Sequence, residues 1–221
     1  MQVQLSKSQI DRLGEQLKQA SVSDVDLDLQ GLDAYRLSFQ ETFSQAKKLL
    51  IDNNLQEFTQ RTKSTPAIIA KLKRQPNTRM SQIQDIVGIR FIVAELKAQN
   101  TLADKLQGVF QKSKLIDRRA EPSFGYRAVH LIAFVAEKPI EIQIRSYFQH
   151  EWAQLSEVLA DQVGHELKYG GGNERLKVFL LDLTDKIYVK EQNLFGENRT
   201  LTEMEVNTEF KQLLPPDMLV I

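Results

Sequence analysis

Residues 122–146 read Pro-Ser-Phe-Gly-Tyr-Arg-Ala-Val-His-Leu-Ile-Ala-Phe-Val-Ala-Glu-Lys-Pro-Ile-Glu-Ile-Gln-Ile-Arg-Ser. Two apolar runs flank a polar break at Glu137-Lys138-Pro139, the pattern of a β-hairpin. In the second run Ile140, Ile142 and Ile144 share one face, and Glu141, Gln143 and Arg145 share the other, because successive strand side chains point to opposite sides. One face is apolar. The other carries an acid, an amide and a guanidinium in a row. A solvated strand face more often mixes charges with Ser and Thr. The row therefore reads either as a functional polar face or as the outer side of a half-buried strand.

Outward from this hairpin, 221 residues suffice for one domain with helical extensions and a real core. Hydrophobic content of 42% and charged content of 26% are those of a globular chain. Lys and Arg total 29 and so do Asp and Glu, so local clusters must meet any polyanion. The lack of cysteine excludes disulfides, thiol catalysis and thiolate metal sites, and agrees with a reducing, cytoplasmic setting. No apolar run approaches the ~18 residues of a membrane span, and the stretch after Met1 is polar and helix-like, so neither membrane nor signal sequence is expected. His130, His150 and His165 are the only histidines, which argues against a multi-histidine zinc site. There is no His-Asp dipeptide of the metal-dependent phosphohydrolase kind.

Helical spacing predicts a helix over residues 7–20, a polar connection at Asp24–Gly31, and a long helix over Leu32–Thr59. Tyr35, Phe39, Phe43, Ala46, Leu49 and Leu50 form its core-facing stripe. Arg61 and Lys63 alternate as on an extended segment, and Ser64-Thr65-Pro66 starts a helix that Lys71, Lys73 and Arg74 end. These cations suit either the helix macrodipole or a bound polyphosphate. Asp85 precedes a strand at Ile89–Val93, where it either caps a turn or ligates Mg²⁺. A helix follows over Leu96–Phe110 with Leu102, Leu106 and Phe110 on one face, then a strand or loop from Lys114 to Arg119. After the hairpin comes a helix over Tyr147–Leu159, with Trp152 and Leu155 inward and Phe148, Leu159 and Val163 joining them. Gly170-Gly171-Gly172 makes a flexible break or an anion-accommodating loop. Another helix spans Asn173–Gln192, and Leu213–Ile221, with Pro215-Pro216, is a poor core candidate.

The order is a basic segment, an Asp before a strand, a Gly-Tyr loop, a Glu on a strand, then a helix. This suits transfer of a phosphate-containing group: cations neutralise phosphates, carboxylates hold Mg²⁺ and take a hydroxyl proton, and a Tyr stacks on a base. No Walker A loop, kinase glycine-rich loop or GxGxxG is present.

Several pieces in this order resemble the synthetase domain of RelA/SpoT-type enzymes. They are Arg61-x-Lys63, Lys71-Leu72-Lys73-Arg74, Gln84-Asp85-Ile86-Val87-Gly88-Ile89-Arg90, Gly125-Tyr126-Arg127-Ala128-Val129-His130, Glu141-Ile142-Gln143-Ile144-Arg145 and Gln149-His150-x-Trp152-Ala153. The resemblance covers about half the chain and implies a pyrophosphokinase that moves the β,γ-diphosphate of ATP to the ribose 3′-hydroxyl of a guanine nucleotide. It implies that Arg61 and Arg90 sandwich adenine and that Lys63, Lys71 and Arg74 hold the ATP phosphates. Asp85 and Glu141 would bind Mg²⁺, with Glu141 also activating the hydroxyl. Tyr126 would stack on the acceptor base, and His130, Gln143, Arg145 and His150 would line the acceptor and transfer site. Arginine suits stacking and bidentate phosphate contact better than lysine.

The implied fold is α/β (α+β): a mixed five-stranded sheet flanked by helices, nucleotidyltransferase-like. Residues 1–60 form an N-terminal helical extension, 61–170 the synthetase core, and 171–221 a C-terminal helical extension and tail. The length is similar to that of small alarmone synthetases, several of which form homo-oligomers. The chain departs from the family where Ala67 replaces a Ser, and where Pro122–Tyr126 is one residue shorter than usual and lacks a lysine. The Pro-Ser-x-Gly-Tyr-Arg-Ala-Val-His run, with the Lys168-Tyr169-Gly170-Gly171-Gly172 end, also resembles toxin-type small synthetases, some of which pyrophosphorylate the 3′ end of tRNA, a reading that implies an antitoxin protein as partner. Lys112, Lys114, Arg118 and Arg119 would then meet an RNA backbone or form an ordinary solvated edge. A catalytically inactive nucleotide-binding regulator is the alternative of another class.

Overall fold

A computed structural model describes residues 5–19 and 29–216. Ala20, most of the Asp24–Gly31 connection and the end of the tail from residue 217 lie outside the described residues, as does the stretch just after Met1. The elements are α1 (Lys7–Gln19), α2 (Leu29–Leu37), α3 (Gln40–Asp52), β1 (Thr59–Thr62), α4 (Thr65–Arg74), a 3-10 turn (Met80–Gln82), β2 (Val87–Val93) and α5 (Leu96–Val109). Then follow β3 (Ser113–Asp117), β4 (Val129–Val135), β5 (Lys138–Ser146), α6 (Tyr147–Val163), a second 3-10 turn (His165–Tyr169), α7 (Glu174–Gly196) and α8 (Glu203–Leu213). The strands form the expected mixed five-stranded sheet, in the order β1-β2-β5-β4-β3, with helices flanking it.

The single helix expected over Leu32–Thr59 is two helices, and its last residues are not helical. The Ser38 hydroxyl donates back to the Tyr35 carbonyl, 2.5 Å away, a local bond that competes with the helical ladder. Asn53-Asn54 ends α3, with Asn54 in the left-handed region at φ 57°. Tyr35, Phe39, Ala46 and Leu50 are buried as expected. Leu49 is exposed, because Thr42, Ala46 and Leu50 define the inward face of α3.

The hairpin turn also differs from expectation. Its two central residues are Ala136 and Glu137, at φ 48° and 62°, as in a tight primed turn. Lys138 and Pro139 therefore belong to β5. Lys138 donates to the Ser38 carbonyl at 2.6 Å and lies 4.8 Å over the Phe39 ring. β5 is buried from Ile140 to Ser146, so Glu141, Gln143 and Arg145 are 8%, 4% and 4% exposed rather than solvated.

By contacts the chain forms two compact units. The first comprises Met1–Ile89, Val109–Ser113 and Ile132–Ile142. In its described part α1 packs on α4 and the first 3-10 turn. Gly14 permits this, since a Cβ there would lie 2.6 Å from the Met80 Cβ. The second unit comprises Arg90–Gly108, Lys114–Leu131 and Gln143–Ile221. Its core joins Phe148, Trp152 and Leu159 of α6 to Leu180, Leu183 and Ile187 of α7 and Val206 and Phe210 of α8. α6 runs past Leu159 to Val163, which is exposed, and Leu155 is only half-buried. α8 falls in a stretch between the expected Asn173–Gln192 helix and the tail for which no element is expected, although Thr202 and Glu205 form its capping box. Leu213, expected to stay out of the core, packs against it.

Candidate active site

In the first unit, β1 and the start of α4 carry the cations. Ser64 caps α4 by accepting from the Ala67 amide, and this fixes Lys63 just before the helix and Lys71 in its last turn. Both reach Asp85: Lys63 Nζ lies 2.7 Å from Oδ2 and Lys71 Nζ 2.8 Å from Oδ1. Burial alone would raise the Asp85 pKa, but the two ammonium groups outweigh it and hold the carboxyl at about 2. Arg74 ends the same helix and is exposed. Arg61 lies across Gly88 of β2: a Cβ on Gly88 would come 3.2 Å from Arg61 Cγ and 2.9 Å from the Glu141 carbonyl oxygen. Lys63, Lys71 and Asp85 are thus brought together, and Arg61 lies against the backbone beside Glu141.

In the second unit, Tyr126 closes a turn rather than a loose loop. Ser123 and Tyr126 pair through both backbone hydrogen bonds, at 3.2 and 3.0 Å, around Phe124 and Gly125, whose φ values are 52° and 87°. A Cβ on Gly125 would meet the Trp152 ring at 2.7 Å. The Tyr126 hydroxyl lies 3.0 Å from His130 Nε2 and accepts from Arg145 Nε and Nη2 at 3.3 and 3.2 Å. The Arg145 guanidinium covers the Tyr126 ring at 5.1 Å and donates to Gln143 Oε1 at 3.4 Å. Tyr126, His130, Gln143 and Arg145 therefore form one cluster. His150 stands in the first turn of α6. Burial and then the charges of Arg145 and Arg90 push its pKa down to about 4, and its buried Nδ1 has no hydrogen-bond partner among the described residues. Arg90 is half-buried on β2.

A cavity of about 250 Å³ opens onto this cluster, lined also by Arg118, Trp152, Lys168 and Tyr169. The sequence pointed to Arg118 as a cation but not to its place here, and it gave Trp152 only a packing role. Arg119, grouped with it, is instead held by Asp117 and Asn100. Arg127, inside the Gly-Tyr-Arg-Ala-Val-His run, is not part of the cluster. It is buried, donates to Asp185 Oδ1 at 2.7 Å and stacks 4.4 Å over Tyr188.

Among the described residues no group of three or more His, Cys, Asp or Glu side chains gathers to hold a metal. Mg²⁺ does not require one, since it takes one or two carboxylates and fills its shell with water and phosphate oxygens. Asp85, ionised at any physiological pH, and Glu141 fit that donor set. No helix among the described residues is long and apolar enough to cross a membrane.

An uncharacterized protein of Mycobacterium tuberculosis, and a counterpart in Mycobacterium bovis, are 37% identical to this chain over 121 residues. The match spans 53% of this chain and 44% of theirs, less than half of their length. The fold is similar to the small alarmone synthetase 1 of Bacillus subtilis, with a TM-score of 0.57 and 19% identity over 75% of this chain and 96% of that one. It is also similar to the same enzyme bound to its product pppGpp, with a TM-score of 0.56 and 19% identity over 74% and 92%. Residues 60–170 match the model of the region found in RelA/SpoT proteins, half of the chain and the stretch that carries both clusters, so the chain belongs to the RelA/SpoT family.

Proposed function

We propose that the chain is an ATP-dependent pyrophosphokinase that transfers the β,γ-diphosphate of ATP to the ribose 3′-hydroxyl of GDP or GTP. One observation carries the reading: a central strand buries an acid, an amide and a guanidinium in one row. Burying such groups is unfavourable unless they are paired, and an apolar strand would pack as well. In the proposed reaction the 3′-oxygen attacks the β-phosphorus, the bond to the α-phosphate oxygen breaks, AMP leaves, and Glu141 takes the hydroxyl proton. Lys63, Lys71 and Arg74 are assigned to the triphosphate, whose oxygens would replace Asp85 as partners of the two lysines. Arg61 and Arg90 are assigned to the adenine, and Tyr126, His130, Gln143, Arg145 and His150 to the acceptor. Tyr126, half-buried and lining the cavity beside Arg145, is assigned to stacking on the acceptor base. Asp85 and Glu141 would hold Mg²⁺, which neutralises developing phosphate charge when bound. ATP as donor implies a cytoplasmic setting.

A second reading, transfer to the 3′ end of tRNA, is favoured by Tyr169, 36% exposed beside the cationic Lys168, and by Phe124, 54% exposed with its ring against Gly170. Exposed aromatics next to cations suit single-stranded nucleotides. This reading brings an antitoxin protein as partner, and the first brings self-association. The test is γ-labelled ATP with GDP, GTP or deacylated tRNA. Label in GDP or GTP is expected; label in tRNA alone replaces the first reading with the second. No transfer to any acceptor leaves an inactive nucleotide-binding regulator. Glu141→Gln should abolish transfer with the fold intact, and unchanged turnover would refute its role.

A further inference from the structure

The family match ends at residue 170, and α7 begins beyond it. Its inward face is mostly apolar, with Leu180, Leu183 and Ile187 at most 3% exposed. Two polar side chains interrupt that face, Thr184 and Glu191, 2% and 4% exposed. They stand two turns apart and so share a side of the helix. Leucines there would meet the demands of packing. What the two polar groups hold is more specific.

Thr184 Oγ1 donates to the Gly125 carbonyl at 2.6 Å and accepts from Arg127 Nε at 3.3 Å. Gly125 and Arg127 are the residues on either side of Tyr126. Asp185 and Tyr188, on the same helix, complete the hold on Arg127. The Leu180 carbonyl accepts from Trp152 Nε1 at 2.9 Å, and the Trp152 ring fills the space that a Cβ on Gly125 would need. One turn beyond Tyr188, Glu191 accepts from the Ser146 hydroxyl through Oε1 and from Gln149 Nε2 at 3.2 Å. Ser146 follows Arg145 and caps α6, accepting from the Gln149 amide at 3.1 Å, and His150 comes next. Gln99 braces the same junction, donating to the Ile144 carbonyl at 2.7 Å and to Gln149 Oε1 at 2.9 Å.

We propose that α7 is the positioning element of the acceptor cluster: Thr184 fixes the Tyr126 turn, and Glu191 fixes the junction that carries Arg145 and His150. The proposal rests on the acceptor reading of that cluster. Neither residue touches the reacting atoms. They act through the two flanks they hold, so their loss weakens acceptor binding and spares the ATP half.

The test uses the full chain. Thr184→Val keeps the shape and removes the hydroxyl, and Thr184→Ser keeps the hydroxyl. Glu191→Leu and Glu191→Gln form the matching pair. Losing the two buried hydrogen bonds that each side chain makes should raise the acceptor KM about tenfold or more in Thr184→Val and Glu191→Leu. The ATP KM should stay within about twofold, and Thr184→Ser and Glu191→Gln should recover most of the loss. Trp152 is the only tryptophan, so its acrylamide quenching reads the turn without any turnover. Quenching should rise in Thr184→Val and not in Thr184→Ser, with far-ultraviolet circular dichroism unchanged. Equal movement of both KM values, or Thr184→Val indistinguishable from wild type in KM and quenching, would overturn the proposal. If the wild type transfers to no acceptor, the acceptor reading falls. Unchanged Trp152 quenching in Thr184→Val would then overturn the positioning role by itself.

Discussion

Among the described residues Glu191 is the most deeply buried carboxyl with a displaced titration, and Glu191→Gln isolates its ionisation. Burial raises its pKa to about 7, against the hydrogen bonds from Ser146 and Gln149, which favour the charged form. The unfolded chain releases that proton near the ordinary 4.5. A folded value above the unfolded one means that Glu191 costs nothing below pH 4.5, and that stability is lost as pH rises to about 7. Each pKa unit is worth about 1.4 kcal/mol, so the full loss above pH 7 is about 3 kcal/mol, most of it between pH 5 and pH 8. The Gln variant never ionises there. Its amide meets Ser146 and Gln149 with altered hydrogen bonding, but that cost is the same at both pH values and cancels in their difference. Urea unfolding of both proteins at pH 5 and pH 8 measures it. The variant should gain about 2–3 kcal/mol on wild type over that interval. A stability difference that does not change with pH would refute the assignment of the proton to Glu191.

Three further outcomes follow from the two clusters. Asp85→Asn leaves Lys63 and Lys71 facing each other; since Asp85 is held at about 2 against 3.8 unfolded, the loss should be about 2 kcal/mol at pH 7 and should shrink as pH falls through 2. Unfolding at both pH values checks this, and an equal loss at each would count against the ion triad. Gly125→Ala places a Cβ on the Trp152 ring at a φ of +87°, so it should cost roughly 1–3 kcal/mol and shift Trp152 emission, and an unshifted spectrum would show that the turn does not need glycine. His150 should stay neutral at pH 7, its ring resonances flat from about pH 5.5 to 8 by NMR, because its pKa is about 4; a midpoint near 6.5 would place it in solvent.

Which of the candidate side chains share a strand face or end a helix was legible in the sequence because the signals are local. Alternation on β5 puts Glu141, Gln143 and Arg145 on one side, and Ser64 and Pro66 start the helix that ends in Lys71 and Arg74. The turn chemistry was less legible: Ala136-Glu137 and Phe124-Gly125 adopt positive φ without the usual Asn-Gly, because paired strands and the Trp152 ring hold them there. The division between α2 and α3 turned on one serine hydroxyl bonding back to Tyr35.

By itself, the sequence determined most of the helices and strands and the types of side chain on them, since period and capping depend on neighbours a few residues away, while the mixed five-stranded sheet was implied by the family resemblance and not by periodicity. Tertiary structure alone decided which of those groups meet. Lys63 and Lys71 converge on Asp85, from 22 and 14 residues away. Thr184 reaches Gly125 across 59 residues, and Glu191 reaches Ser146 across 45. Such pairings depend on how elements dock, and no local period encodes that. The polar row first read from residues 140–145 is therefore a property of the sequence, and its burial is a property of the fold.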